Sequence, residues 1–242
     1  MDHQLDQHTA VKETLPTVFG YLGIGIAFGV VGRASGFSPW LVLFMSLFIY
    51  AGSAQFITVS LLVSHSPIIS IVLATFLVNA RMILLSLTIA PYFKQASLAK
   101  NIFLGTLLTD ESFALGMNKL NFTQGRLNFP WFNTVNLLAY ATWNIATLIG
   151  ALIGNYIADP QQLGLDFAII AMFIGLLYLQ VSADRSLALS LQLLMIGLTL
   201  ALSYFGAVFI PSNLLIIVVT IVGCSCGVFI KHRFYPGQTT SH

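Results

Sequence analysis

Three ionisable side chains lie within stretches of sequence that are otherwise largely apolar. Arg81 occurs within residues 77–83, and the adjacent acids Asp110 and Glu111 occur within residues 107–113. At the centre of a membrane helix an Arg or Asp costs about 2.5–3.5 kcal/mol, so it is retained only opposite a partner or a watery cavity. The simplest charge balance pairs Arg81 with one of the acids. Such a pair is either a structural ion pair or part of a site for a zwitterion or a proton relay, and ionisable groups at this depth favour the functional interpretation.

A second cluster of small and polar residues, Tyr50–Phe56 (YAGSAQF), lies halfway along another apolar stretch. Small residues at this depth allow close packing of two helices. They are also typical of a broken helix whose freed backbone groups face a substrate. The side chain of Gln55 can both donate and accept hydrogen bonds, which favours the broken helix.

A polar stripe runs along one face of a later apolar segment. Its members are spaced by three or four residues, which places them on one side of a helix: Asn136, Tyr140, Asn144, Thr147 and Ala151. A stripe of this kind either bonds neighbouring helices together, which is the commoner outcome, or lines a cavity. We include Asn144 among the candidate binding residues.

The composition indicates that these groups are held in a lipid bilayer. Of the 242 residues, 57% are hydrophobic and 7% are charged, whereas a soluble domain carries roughly a quarter charged residues. The formal net charge is +2 without a run of basic residues, so the chain has no electrostatic footprint for nucleic acid.

Apolar stretches of roughly 20 residues, the length that crosses a bilayer, recur along the chain. Because lipid forces backbone groups to bond within a helix, we predict an all-α, polytopic membrane helix bundle of seven or eight membrane segments, some of them discontinuous. Residues 1–14 and 234–242 are predicted to be tails around a single transmembrane domain, 15–233. The predicted segments are Leu15–Gly32, Trp40–Val63, Ile68–Ala90, Trp131–Ile157, Leu165–Ala183, Leu187–Phe205 and Leu214–Ile230, with Leu98–Leu120 as the eighth if it crosses.

Two weaker patterns concern topology. Lys119 and Arg126 mark the connector before the Trp131 segment as cytoplasmic, and Lys231 and Arg233 do the same for the C-terminus. In addition, a Gly-x-x-x-Gly element followed by a proline turn and an apolar span occurs twice, at 25–39 and at 150–160. The similarity is short, so it fits either an internal repeat or coincidence.

Three function classes compete at this point. The first is a transporter subunit. The second is an intramembrane enzyme, suggested by Ser53 and His65, but no third group orients the histidine as a catalytic triad requires. The third is a structural or assembly subunit whose buried charges only fix packing. No phosphate-binding glycine loop, nucleophile elbow or zinc-protease motif is present in the sequence, so we expect no enzyme, cofactor or metal.

Taken together, Tyr50–Phe56, Asn79-Ala80-Arg81 and Leu108–Ala114 (LTDESFA) resemble the AzlC family, the large subunits of two-component branched-chain amino acid exporters of bacteria. Their order and spacing fit, as does a glycine-rich first span with Pro16 near its start. The resemblance implies export of small hydrophobic amino acids, coupled to the proton gradient, from the bacterial inner (plasma) membrane. It also implies a small, separately encoded AzlD-like membrane partner. One departure is Met82, where the family pattern often has His.

The chemistry of an amino acid fits these residues. Arg81 is expected to receive the carboxylate in a bidentate fork, and one acid is expected to hold the ammonium or exchange a proton. Asp110 and Glu111 are the candidate proton-coupling residues or charge partners. The candidate substrate-binding residues are Arg81, Asn79, Gln55, Ser53, Tyr50 and Asn144.

Overall fold

A computed structural model describes residues 1–156, 187–210 and 212–234, together with the single positions 174, 177, 178 and 181. All regular structure in these ranges is helical, which confirms the all-α prediction. The predicted segment Leu165–Ala183 lies outside the described ranges. The helices are α1 Gln7–Ala34, α2 Pro39–Ile49, α3 Gly52–Val63, α4 Ile68–Asn79, α5 Arg81–Ile89, α6 Leu98–Thr106, α7 Asp110–Leu120, α8 Phe129–Ile153, α9 Leu189–Phe209 and α10 Ser212–Phe234, with short 3₁₀ turns at Ala90–Phe93 and Gly154–Tyr156.

Membrane-crossing length is reached by continuous helices and by pairs of short ones. Among the described residues, four helical stretches are long and apolar enough to span a bilayer: Gln7–Ala34, Ile68–Phe93, Phe129–Ile153 and Leu189–Phe209. Two other predicted segments are each divided. Trp40–Val63 is formed by α2 and α3, and Leu98–Leu120 by α6 and α7.

Local sequence explains where several of these helices begin. Asp6 caps α1 by accepting a hydrogen bond from the Thr9 amide at 2.6 Å, and hydrogen bonds from Thr9 hold the pKa of the Asp6 carboxyl below its usual range. Thr109 and Ser112 form a reciprocal capping box at the start of α7. Because this capping box starts a new helix at Asp110, the preceding residues 107–109 leave the helical path between α6 and α7.

Helices α1 and α8 run parallel and form the tightest contact in the described chain. A Cβ built on Gly29 would lie 2.2 Å from the Thr147 carbonyl oxygen, and one built on Gly150 would lie 2.1 Å from the Ile26 carbonyl oxygen. Neither position has room for a side chain, so glycine is required for this close approach. The two glycine elements noted in the sequence therefore face each other.

The chain forms two compact units, Met1–Leu177 and Tyr178–His242. In the second unit, α9 and α10 form an antiparallel pair in which glycines of α10 approach α9. A Cβ on Gly223 would meet Thr199 at 3.0 Å, and a Cβ on Gly227 would meet Met195 at 3.1 Å. The first unit contains all the predicted site residues.

Candidate functional site

The broken helices of the first unit surround a small cavity that has both polar and apolar lining residues. Its volume is about 40 Å³, enough for a few water molecules. It lies where the α2–α3 break and the first turns of α5 and α7 meet α1 and α8. The lining residues are Tyr21, Ile24, Tyr50, Ala51, Gly52, Ser53, Arg81, Met82, Thr109, Asp110, Glu111 and Trp143.

The centre of this cavity is an ion pair between α5 and α7. Arg81 Nη2 lies 2.8 Å from Asp110 Oδ2, and the predicted pairing of Arg81 with one of the acids is therefore present. The same nitrogen donates a long hydrogen bond of 3.4 Å to Ser53 Oγ at the start of α3. Asp110 is 8% exposed and Arg81 36%. The Arg81 side chain is thus partly exposed, whereas the Asp110 carboxylate is buried.

The second acid of α7 is bound to α1. The Tyr21 hydroxyl donates to Glu111 Oε2 at 2.6 Å and lies 2.9 Å from Thr109 Oγ1. Thr109 in turn accepts the Ser112 amide in the capping box. Tyr21 therefore holds the start of α7 against α1, with both acids at the cavity.

A buried chain of hydrogen bonds positions the α2–α3 break from behind. Trp143 Nε1 donates to Gln55 Oε1 at 3.0 Å, Gln55 Nε2 donates to Ser46 Oγ at 2.8 Å, and Ser46 Oγ donates to Thr147 Oγ1 at 3.0 Å. These bonds connect α2 and α3 to α8. At the break itself, Tyr50 has a left-handed φ of 42°, which allows the chain to leave α2 and begin α3 at a new angle. The helix break predicted within Tyr50–Phe56 is therefore present, between Ile49 and Gly52.

The structure brings some of the predicted binding residues to the cavity and places others nearby. Arg81, Ser53 and Tyr50 line it, as do both predicted acids, Asp110 and Glu111. The remaining candidates lie outside the lining. Gln55 is bonded to Trp143 and Ser46, Asn144 donates to the Tyr140 carbonyl at 2.8 Å, and Asn79 lies before the α4–α5 junction, outside the lining.

Several lining residues carry no sequence signal that we used. Tyr21, Ile24 and Trp143 lie on helices distant in sequence, and they reach the cavity because α1 and α8 pack against each other beside it. Trp143 lies directly before Asn144, a predicted binding residue of the polar stripe. Ile24, Met82 and Trp143 are apolar or aromatic members of this lining.

Two buried polar atoms at the ion pair have no hydrogen-bond partner in the described part of the chain. They are Nε of Arg81 and Oδ1 of Asp110. One is a donor on a cation and the other is an acceptor on an anion. Since buried polar groups are nearly always satisfied, these two atoms are groups that water, or a ligand with both an anionic and a cationic group, could satisfy.

The fold defines a multi-pass membrane protein, and its ion pair lies in a cavity between broken helices, an arrangement typical of secondary transporters. Comparison with known proteins identifies one family. A family model described as AzlC protein matches residues 16–157. The chain belongs to the AzlC family, as its motifs indicate.

Relatives extend this assignment. An uncharacterized membrane protein of Helicobacter pylori is 34% identical over 167 residues, which are 69% of this chain and 72% of the relative. The inner membrane protein YgaZ of Escherichia coli is 26% identical over 93% of this chain and 90% of its own. The branched-chain amino acid transport protein AzlC of Bacillus subtilis is 29% identical over 69% of this chain and 64% of its own. No solved structure matches significantly. The predicted location in a bacterial inner membrane is confirmed by these relatives.

Proposed function

We propose that this protein exports branched-chain and other small hydrophobic amino acids, and that the cavity around Arg81 and Asp110 is its substrate site. The name of the Bacillus subtilis relative supports the substrate class. The observation that carries the proposal for the site is the unpartnered donor and acceptor at the ion pair, Arg81 Nε and Asp110 Oδ1. A zwitterionic amino acid has a carboxylate for the first and an ammonium for the second.

Binding a whole amino acid requires the cavity to widen. Its present volume of about 40 Å³ holds a few waters, well below the roughly 300 Å³ of a typical ligand pocket. The breaks between α2 and α3 and between α6 and α7 provide hinges for such a movement. The conformation described here is therefore proposed to be a closed state, and the apolar residues Ile24, Met82 and Trp143 are proposed to contact the substrate side chain.

Proton coupling is the energy source that we propose, with Asp110 and Glu111 as the coupling acids. Both acids lie in the first turn of α7, where the helix dipole and nearby hydrogen-bond donors can hold their charge. Movement of a proton on or off one acid changes its attraction for Arg81 or for a substrate ammonium. A small AzlD-like membrane subunit, implied by the family, is proposed as the partner. Collapse of the proton gradient should then slow export, and omission of the partner should abolish it.

Valine efflux from cells that coexpress the chain and its partner tests this function. Arg81→Gln and Asp110→Asn are expected to reduce efflux by about 30-fold or more, since loss of one member of a buried charged pair costs about 2–5 kcal/mol. Arg126→Gln, at an exposed arginine, and Asp6→Asn, which retains a capping side chain, are matched controls. Equal membrane levels are required. Unchanged efflux in both site variants would remove these residues from the mechanism.

A further inference from the structure

We propose that the backbone amides at the start of α3 form a carboxylate-binding subsite, a proposal that rests on the proposed function and locates one end of the substrate. Helix α3 begins at Gly52, directly after the break. The residue at the capping position is Ala51, whose side chain provides no cap hydrogen bond. The amides of Gly52, Ser53 and Ala54 have no hydrogen-bond partner among the described residues, as the geometry of an uncapped helix start requires.

The start of α3 lies deep in the membrane, away from bulk water. Helices α2 and α3 have 11 and 12 residues, so each is about 16–18 Å long at 1.5 Å per residue. Their junction therefore falls near the middle of a hydrocarbon layer about 30 Å thick. Ser53 is 3% exposed and Ala54 is fully buried. An acceptor for these amides must come from the cavity, which Ala51, Gly52 and Ser53 line.

A helix start of this kind carries partial positive charge and favours an anion. Arg81 adds a full positive charge at the same place, because its Nη2 lies 3.4 Å from Ser53 Oγ. A carboxylate bound here would accept hydrogen bonds from the α3 amides on one side and from Arg81 Nε on the other. The helix start thus complements the guanidinium, one nitrogen of which is already occupied by Asp110.

An independent group in the cavity points to the second charge of the ligand. Asp110 is 8% exposed, and its Oδ1 has no partner in the described chain. An ammonium bound to this oxygen would lie close to a carboxylate held by Arg81 and α3, and in an α-amino acid the two charged groups are attached to the same carbon. The subsite therefore selects molecules with a free carboxylate beside a free ammonium. Amides and esters of amino acids lack the carboxylate and are excluded.

A substitution that supplies the missing cap tests this assignment. Ala51 has the extended backbone conformation of a capping residue, so the side chain of an Ala51→Asn variant can accept a hydrogen bond from the Ser53 or Ala54 amide. The variant should melt at the same or a higher temperature than the wild type, but its affinity for valine should fall by about tenfold or more, as expected on loss of a charge-assisted bond. Ala51→Val adds similar bulk without an acceptor, so its loss of affinity measures the effect of volume alone, and the loss in Ala51→Asn should exceed it by about threefold or more.

Binding of valine and of valinamide to the full-length protein in lipid nanodiscs, with its partner present, provides the readout. The wild type should bind valine and discriminate strongly against valinamide, and Ala51→Asn should reduce that discrimination. Equal losses in Ala51→Asn and Ala51→Val, or equal binding of valine and valinamide by the wild type, would overturn the subsite while leaving the proposed function intact. Failure of the wild type to bind any branched-chain amino acid would overturn the proposed function together with the subsite.

Discussion

Helix α7 carries an ion pair at each end, and the two pairs differ in their exposure and in how completely their hydrogen bonds are satisfied. At its first residue, Asp110 meets Arg81 beside the cavity. At its last turn, Lys119 meets Glu13 of α1. Each pair joins a basic side chain to a carboxylate, but the groups that surround the two pairs differ.

The Lys119 pair is fully enclosed. The ammonium is 0% exposed and donates to both Glu13 oxygens, at 2.9 and 2.8 Å, and to the Asp2 carbonyl at 2.8 Å. Glu13 also accepts the Trp131 indole at 3.2 Å and the Asp2 amide at 2.9 Å. The Trp131 ring lies below the ammonium, 5.3 Å from Nζ to the ring centroid. All three donors of Lys119 are used, so this pair has no capacity left for a ligand.

The Arg81 pair retains that capacity. Its arginine side chain is partly exposed, and one donor and one acceptor of the pair, Arg81 Nε and Asp110 Oδ1, have no partner in the described chain. The comparison teaches that buried charge alone does not mark a binding site in a membrane protein. A charged group indicates a binding site when some of its hydrogen bonds are unsatisfied and a cavity lies beside it. On this basis we assign the Lys119 end of α7 a structural role and propose the Arg81 end as the part that binds substrate.

The largest effect is expected at the structural end. Lys119→Met leaves the Glu13 carboxylate buried without a cation, which costs about 3–5 kcal/mol of stability. Thermal unfolding in detergent should show a marked fall in melting temperature and a loss of folded protein in membranes. The double variant Lys119→Met/Glu13→Gln should recover part of this loss. A melting temperature equal to that of the wild type would show that the enclosed pair is not structural.

An intermediate effect, of opposite sign, is expected at the cavity end. Replacing both members in Arg81→Met/Asp110→Leu removes two charges that are costly to bury, and such replacements are neutral or stabilising by about 1–4 kcal/mol. The melting temperature should stay level or rise while valine efflux is lost. A strong fall in melting temperature would place this pair in the same structural class as Lys119 and Glu13.

The smallest effect is expected when one supporting hydrogen bond is removed beside either ion pair. Tyr21→Phe removes the donor to Glu111 at the cavity, and Trp131→Phe removes the indole donor to Glu13. Each leaves a buried acceptor short of one bond, a loss of about 1–3 kcal/mol. Both should lower the melting temperature, but Tyr21→Phe should in addition alter the pH dependence of efflux, and Trp131→Phe should not. Identical pH profiles would remove Tyr21 from the proposed coupling.

Much of the fold could be predicted from the sequence because lipid makes hydrophobic length informative. The sequence also predicts Arg81, Asp110 and the break at Tyr50–Phe56, because charged and small residues are conspicuous in apolar segments. Thr109 followed by two acids is also typical of a helix start and indicates where α7 begins. The break before α7 was not predicted, because Leu98–Leu120 is long and apolar enough to be taken as one membrane segment.

The remainder depends on contacts between helices far apart in sequence. Tyr21 and Trp143 reach the cavity through the packing of α1 on α8, which no local pattern specifies. Lys119 illustrates the same point in another way. Its position in a connector suggested a topology marker, whereas the structure buries it completely against Glu13. Gln55, a polar residue in the motif, is engaged by Trp143 and Ser46, so its type indicated the break correctly but not its neighbours.

The most direct test of the site is calorimetric binding of valine to the purified protein, compared with isovalerate, which lacks the ammonium, and isobutylamine, which lacks the carboxylate. We expect valine to bind, each half-charged analogue to bind at least about tenfold more weakly, and Asp110→Asn to abolish the preference for valine over isovalerate. Binding of either analogue as tightly as valine, or an unchanged preference in Asp110→Asn, would contradict a zwitterion site at this ion pair.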